Sequence, residues 1–138
     1  MTIIAYRSGV MAADTASILG DGTKLSNDKK IIKVMGHLFG LCGSYCPDIA
    51  EAADWWLHDS GAMGRWAFTM LVVTPEGRVE LVGDDGVFNT ITEDYFAIGS
   101  GAQCALGAMH AGATARQAAK AAIQWNDSCG GRVMWRRL

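Results

Sequence analysis

Threonine at position 2 is where this sequence first offers chemistry. Removal of Met1 would leave Thr2 with a free α-amino group beside its own hydroxyl. Such a residue carries a nucleophile and a general base together, because the hydroxyl can attack while the amine takes its proton. An unperturbed α-amine titrates near ~7.7–8.0, so much of it is protonated at neutral pH unless a nearby cation lowers its pKa. A carboxylate completes such an arrangement, and Asp14 is placed to supply it. Residues 3–7 and 10–13 form two short apolar runs. Arg7-Ser8-Gly9 between them reads as a turn, with Gly9 able to take positive φ. A hairpin folded at that point brings Asp14 back beside Thr2.

The rest of the chain must hold this hairpin in place. Residues 15–27 are rich in Gly, Ser, Thr and Asn and read as a loop. Residues 29–34 and 38–42 are apolar runs joined by Met35-Gly36-His37, which predicts a second hairpin. Pro47 and Asp48 open a helical stretch, with Tyr45 or Cys46 as its cap and Ile49, Ala52, Ala53, Trp56 and Leu57 on one apolar face. A Gly-rich break covers 60–65. Strands at 66–74 and 78–82 follow, paired across Pro75-Glu76-Gly77. After the turn Gly83-Asp84-Asp85-Gly86, a strand at 95–98 runs into Gly99-Ser100-Gly101. Helices are predicted at 103–111 and 114–125, the second with Thr114 and Gln117 as a capping box. Gly130-Gly131 stops it, and 133–135 adds a last strand. This order predicts an α+β fold in which two antiparallel sheets bury their faces against each other, with helices outside each.

Five motifs, in order and over nearly the whole chain, resemble the proteasome β-subunit and HslV-type family of N-terminal nucleophile hydrolases. They are the opening Met-Thr-Ile-Ile-Ala-Tyr-Arg, Asn27-Asp28-Lys29-Lys30-Ile31-Ile32, Leu38-Phe39-Gly40-Leu41-Cys42-Gly43-Ser44, Ala97-Ile98-Gly99-Ser100-Gly101, and Asn126-Asp127-Ser128-Cys129. The resemblance implies a four-layer αββα sandwich spanning residues 1–138 as a single domain. Only one short helix fits between Asp48 and Trp66, so one helical layer should be reduced, and assembly through the family's usual helical contacts comes into question. It implies Thr2 as nucleophile, Lys30 as the cation beside its amine, and Asp14 as the group holding Lys30. Gly43 would supply the backbone N–H for an oxyanion, Ser100 would shape the turn at the site, and Asp127 would support the N-terminal residue. Ala102 stands where proteasome subunits carry a further site serine. The hairpin is about four residues shorter than in long family members. An even deletion is expected to keep Thr2 and Asp14 on one face, which favours Thr2 over Met1 as nucleophile.

The resemblance further implies a peptide or unfolded-protein substrate, a homo-oligomer such as a ring, and an ATP-dependent unfoldase as partner. Two other classes compete with a threonine-type peptidase or amidohydrolase. One is an inactive proteasome-like scaffold or assembly subunit, which Ala102 favours. The other is a dinucleotide-binding module, suggested by strand, Gly99-x-Gly101 and helix, but lacking an acidic strand end about 20 residues on.

Global properties bound the remainder. The chain has 138 residues, half of them apolar, and a formal net charge of −2. That length supports a core, and the charge balance gives no nucleic-acid footprint. Arg132, Arg136 and Arg137 form a small basic tail. Cys42, Cys46, Cys104 and Cys129 lack paired spacing, and His37, His58 and His110 are scattered, so no metal site is expected. No cofactor is implied. Reduced thiols, no signal-peptide pattern and no apolar run near ~18 residues predict a cytoplasmic protein without a membrane span.

Overall fold

The computed structural model describes residues 2–58 and 63–138. Met1 lies outside them, as does the 60–62 part of the expected Gly-rich break. The first hairpin forms as the apolar runs dictate: β1 (Ile4–Arg7) and β2 (Val10–Asp14) pair antiparallel, with Ile4 opposite Ala13 and Arg7 opposite Val10. Ser8 and Gly9 both take positive φ, 51° and 79°, the two-residue turn whose twist matches that of the strands. Residues 15–27, expected as plain loop, contain a minimal hairpin of β3 (Ser17–Ile18) and β4 (Lys24–Leu25). Two-residue strands carry no alternation for the sequence to display.

β5 (Ile31–Val34) and β6 (His37–Tyr45) make the second hairpin. Helix α1 (Ile49–His58) follows. Its cap is Asp48, whose Oδ1 accepts from Ala50 N at 2.9 Å, and not Tyr45 or Cys46. A carboxylate is the better N-cap because it accepts directly from a free first-turn amide. β7 (Ala67–Val73), β8 (Val79–Gly83) and β9 (Phe88–Ile91) form a meander. β10 (Tyr95–Ile98) leads through Gly99-Ser100-Gly101 into α2 (Ala102–His110), then α3 (Ala115–Trp125) and β11 (Val133–Arg137). The capping box of Thr114 and Gln117 is present in both directions, at 2.9 and 3.1 Å.

Two sheets result, ordered β10-β1-β2-β11 and β5-β6-β7-β8-β9. Alternation along β1 divides its side chains between two cores. Ile3 and Ala5 join Ala12, Met109, Ala118 and Ala122 under α2 and α3. Ile4 and Tyr6 join Met11, Ile31, Leu38, Leu71 and Val73 between the sheets. The outer face of the second sheet buries Phe39, Met70 and Val72 against Ile49, Ala52, Ala53 and Trp55 of α1. The order of layers is therefore α2/α3, sheet, sheet, α1: the expected αββα sandwich, with the α1 side thin. Each fully buried Ile, Leu or Phe side chain contributes roughly 1.5–3 kcal/mol of transfer free energy, and that term fixes the face each strand presents. The pairing of β10 with β1 is antiparallel. The Gly99-x-Gly101 turn is thus no part of a parallel βαβ unit, and the dinucleotide reading falls with it. No helix among the described residues is long and apolar enough to cross a membrane.

Candidate active site

The site lies at the open end of the sandwich, where β1 begins and β2 ends. Asp14 is wholly buried, and its carboxylate gathers three donors. Lys30 Nζ donates to Oδ1 at 2.9 Å, Ile3 N to Oδ1 at 3.1 Å, and Gly130 N to Oδ2 at 3.0 Å. Lys30, only 4% exposed, is thereby an ammonium held in the interior by an anion with strong hydrogen bonds of its own. Its backbone also ties the second sheet, since Leu41 N donates to Lys30 O at 3.0 Å.

Thr2 is 5% exposed and reaches the same place from β1. Its backbone nitrogen donates to Ser100 Oγ at 3.0 Å, and its carbonyl accepts from Gly101 N at 3.1 Å. This nitrogen is a peptide N–H while Met1 is attached. It would be the α-amine once Met1 is gone. Ser100 is in turn steadied by Asn126, whose Nδ2 donates to Ser100 O at 3.0 Å.

Thr2, Lys30, Cys42, Gly43, Ser44 and Cys46 are among the residues lining one cavity of about 510 Å³. Gly43 sits beyond the last contact between β5 and β6, at the start of a bulge between Gly43 and Tyr45. Backbone N–H groups two residues apart on a strand point the same way. Leu41 N points toward Lys30, so Gly43 N points along that side too, past the end of β5 and toward the cavity. The residue must be glycine: a Cβ would collide with the carbonyl oxygen of Ala67 and come within 2.6 Å of Phe68 Cα. Burial pushes the Cys42 thiol up to about 11, and burial likewise raises Cys46 and Cys129. Besides Lys30, the charged residues Asp28, Lys29 and Asp48 line the cavity, and of these cations Lys30 is the one paired with buried Asp14. A cavity of about 550 Å³ exists on the far side of the first sheet, around Arg7, Arg116 and Arg137, away from this chemistry.

Thr2, Lys30 and Gly43 therefore share one cavity, Asp14 holds Lys30, and Ser100 holds Thr2. The register corrects one expectation. Asp14 N donates to Ile3 O at 3.4 Å, continuing the ladder from Ile4–Ala13, so Asp14 lies opposite Ile3 and not on the face of Thr2. Across a hairpin, facing residues here have opposite parity, so the even spacing of 2 and 14 does not place them together. Lys30, which pairs with Asp14, lines the cavity that Thr2 also lines. Asp127 is exposed at a turn, and no hydrogen bond or ion pair among the described residues joins it to Thr2, Asp14 or Lys30. The supporting contacts from that turn come from Asn126 and Gly130. The sequence shows Asn126 only as part of the turn motif and Gly130 only as a helix stop, since a backbone N–H reaching Asp14 from 116 residues away leaves no mark in side-chain chemistry. Ala102 opens α2 and offers no hydroxyl.

No family model matches the chain, and no curated protein sequence does. Solved structures are similar to it over almost their full length. One is Thiobacillus denitrificans BPH in complex with epoxomicin, 22% identical, with a TM-score of 0.72, covering 99% of this chain and 97% of that one. Another is the eukaryotic HslV of Trypanosoma brucei, 20% identical, with a TM-score of 0.73, covering 99% and 98%. The chain has the sandwich fold of these proteins.

Proposed function

We propose that this chain, built on the sandwich that HslV and BPH share, is a threonine-type peptidase or amidohydrolase activated by removal of Met1. The observation that carries this reading is Lys30, paired with buried Asp14, in the wall of the cavity that Thr2 lines, with Thr2 N held on Ser100 Oγ. Free of Met1, Thr2 would have an α-amine beside its hydroxyl and a fixed ammonium close by. That ammonium disfavours protonation of the amine and frees its lone pair as a base near neutral pH.

In the first half-reaction Thr2 Oγ attacks the scissile carbonyl carbon as the amine takes the hydroxyl proton. The tetrahedral oxyanion meets Gly43 N–H, a donor whose removal in comparable sites costs about 3 kcal/mol. The C–N bond breaks, the leaving amine takes the proton, and an ester to Thr2 remains. Water attacks that ester with the α-amine again as base, releasing the acid and restoring Thr2. The open edge of β6 beyond β5 suits an extended peptide, which would add to it as a strand. The same reading includes an unfolded-protein or peptide substrate, a cytoplasmic setting, and a homo-oligomeric ring with an ATP-dependent unfoldase.

The test compares the wild type, with its N-terminus sequenced, and Thr2→Ala on a panel of fluorogenic peptides. Wild type lacking Met1 should hydrolyse at least one peptide, and should gain one inhibitor mass from an epoxyketone. Thr2→Ala should do neither, with unchanged circular dichroism. Full activity in Thr2→Ala refutes the mechanism. A wild type that keeps Met1 and neither cleaves nor labels favours the scaffold reading, to which Ala102 already points.

A further inference from the structure

The cavity of about 550 Å³ on the helix side of the first sheet takes no part in the chemistry above. Its volume falls in the range of small-molecule sites, roughly 300–1,000 Å³. Arg7 at the end of β1, Arg116 and Lys120 on α3, and Arg137 on β11 line it, with Val10 and Val133 as apolar wall. No Asp or Glu lines it, and none of the four cations is in an ion pair with a carboxylate among the described residues. The protein as a whole is slightly acidic, so four of its 12 Lys and Arg residues meeting in one concavity is not a general basic surface.

The guanidinium groups are also held in position by contacts that include no carboxylate. Arg7 Nη1 donates to the carbonyls of Met109 at 2.7 Å and Ala113 at 3.0 Å, with its Cζ 5.1 Å from the Tyr95 ring centroid. Arg116 and Arg137 both lie against Trp135, at 4.5 and 5.9 Å from its centroid. Placing fixed like charges together raises the free energy of the empty state, and a multivalent anion relieves it. Planar guanidinium forks match phosphate oxygens in pairs.

We propose that this cavity binds a polyphosphate chain, either inorganic or carried by a nucleoside that would lie on Val10 and Val133. The site is independent of Thr2 chemistry, so its test does not need activity. Calorimetric titration of the full chain at low ionic strength, with metal-free tripolyphosphate and separately with metal-free ATP, should show saturable one-site binding. Arg116→Gln/Lys120→Gln, both exposed positions, should weaken it by about tenfold or more. Lys29→Gln/Lys33→Gln, just before and within β5 of the other sheet, should leave it unchanged. Lys120→Gln alone, which leaves the Trp135 contact intact, should show a smaller loss in the same direction. Tighter binding of ATP than of tripolyphosphate identifies the nucleoside source, and equal binding identifies the inorganic one. Absence of saturable binding to either anion, or equal weakening by both double variants, overturns the proposal.

Discussion

Replacing Asp14 by asparagine tests the centre of the site with little change of shape. The carboxylate accepts from Lys30 Nζ, Ile3 N and Gly130 N, at 2.9, 3.1 and 3.0 Å, and is wholly buried. An asparagine can turn its oxygen toward Lys30 and Ile3, but its amide then faces Gly130 N, donor against donor. The Lys30 ammonium would also lose the anion beside it. Breaking a buried ion pair from one side costs about 3–5 kcal/mol, and the clash of donors lies within that range. For a chain of this size, each kcal/mol moves Tm by roughly 3–5 °C, so Asp14→Asn should melt about 9–25 °C lower. Urea unfolding followed by tryptophan fluorescence reads the same loss as a free energy. Lys30→Met should cost less, because Asp14 then keeps two backbone donors. The double variant Asp14→Asn/Lys30→Met should be more stable than the sum of the two losses predicts. A loss below about 1 kcal/mol for Asp14→Asn, or strict additivity in the cycle, would refute a buried and mutually dependent pair.

Ser100→Ala removes the acceptor for Thr2 N and should lower kcat/KM on a cleaved peptide by about tenfold, with Tm nearly unchanged. Asn126→Ala should reduce activity more than Asp127→Ala, since only Asn126 reaches Ser100; an equal effect would restore the exposed aspartate to the site. With its thiol pushed up to about 11, Cys42 holds only about a thousandth of its population as thiolate at pH 8. Alkylation of the folded protein followed by peptide mapping should therefore find Cys42 nearly unmodified at that pH, its rate rising through pH 9–11 until the protein unfolds. Rapid alkylation at pH 8 would contradict a buried neutral thiol.

Most of the scaffold could be read from the chain because its signals are local. Apolar runs bounded by turn residues placed β1, β2, β5 and β6, and the Thr114–Gln117 pair marked α3 within one residue. β9 escaped because Phe88–Ile91 is an edge strand with no buried face, so its side chains carry no period. The site divides along the same line. Thr2 and Asp14 stand out from the opening hairpin, and Lys30 and Gly43 from the motifs that carry the resemblance. The bracing by Gly130, Asn126 and Thr15 depends on which loops meet in space. Thr15 Oγ1, for example, accepts from Arg132 N at 2.8 Å and donates to Ser26 O at 2.7 Å. The parity of positions 2 and 14 misled because cross-strand partnership depends on the turn residues, and the Ser8-Gly9 turn pairs odd with even positions.

The contacts that fix the first strand's end have a temporal side. Ser100 grips position 2 across 98 residues, and Gly130 grips position 14 across 116. A ribosome delivers these partners last, and non-local closures form slowly. While the chain is being made, Thr2 therefore lacks the Ser100 contact at its nitrogen and Asp14 lacks its Gly130 donor. The end of the first strand is thus braced only after synthesis is nearly over, and a chain cut short before residue 130 would leave Asp14 one donor short.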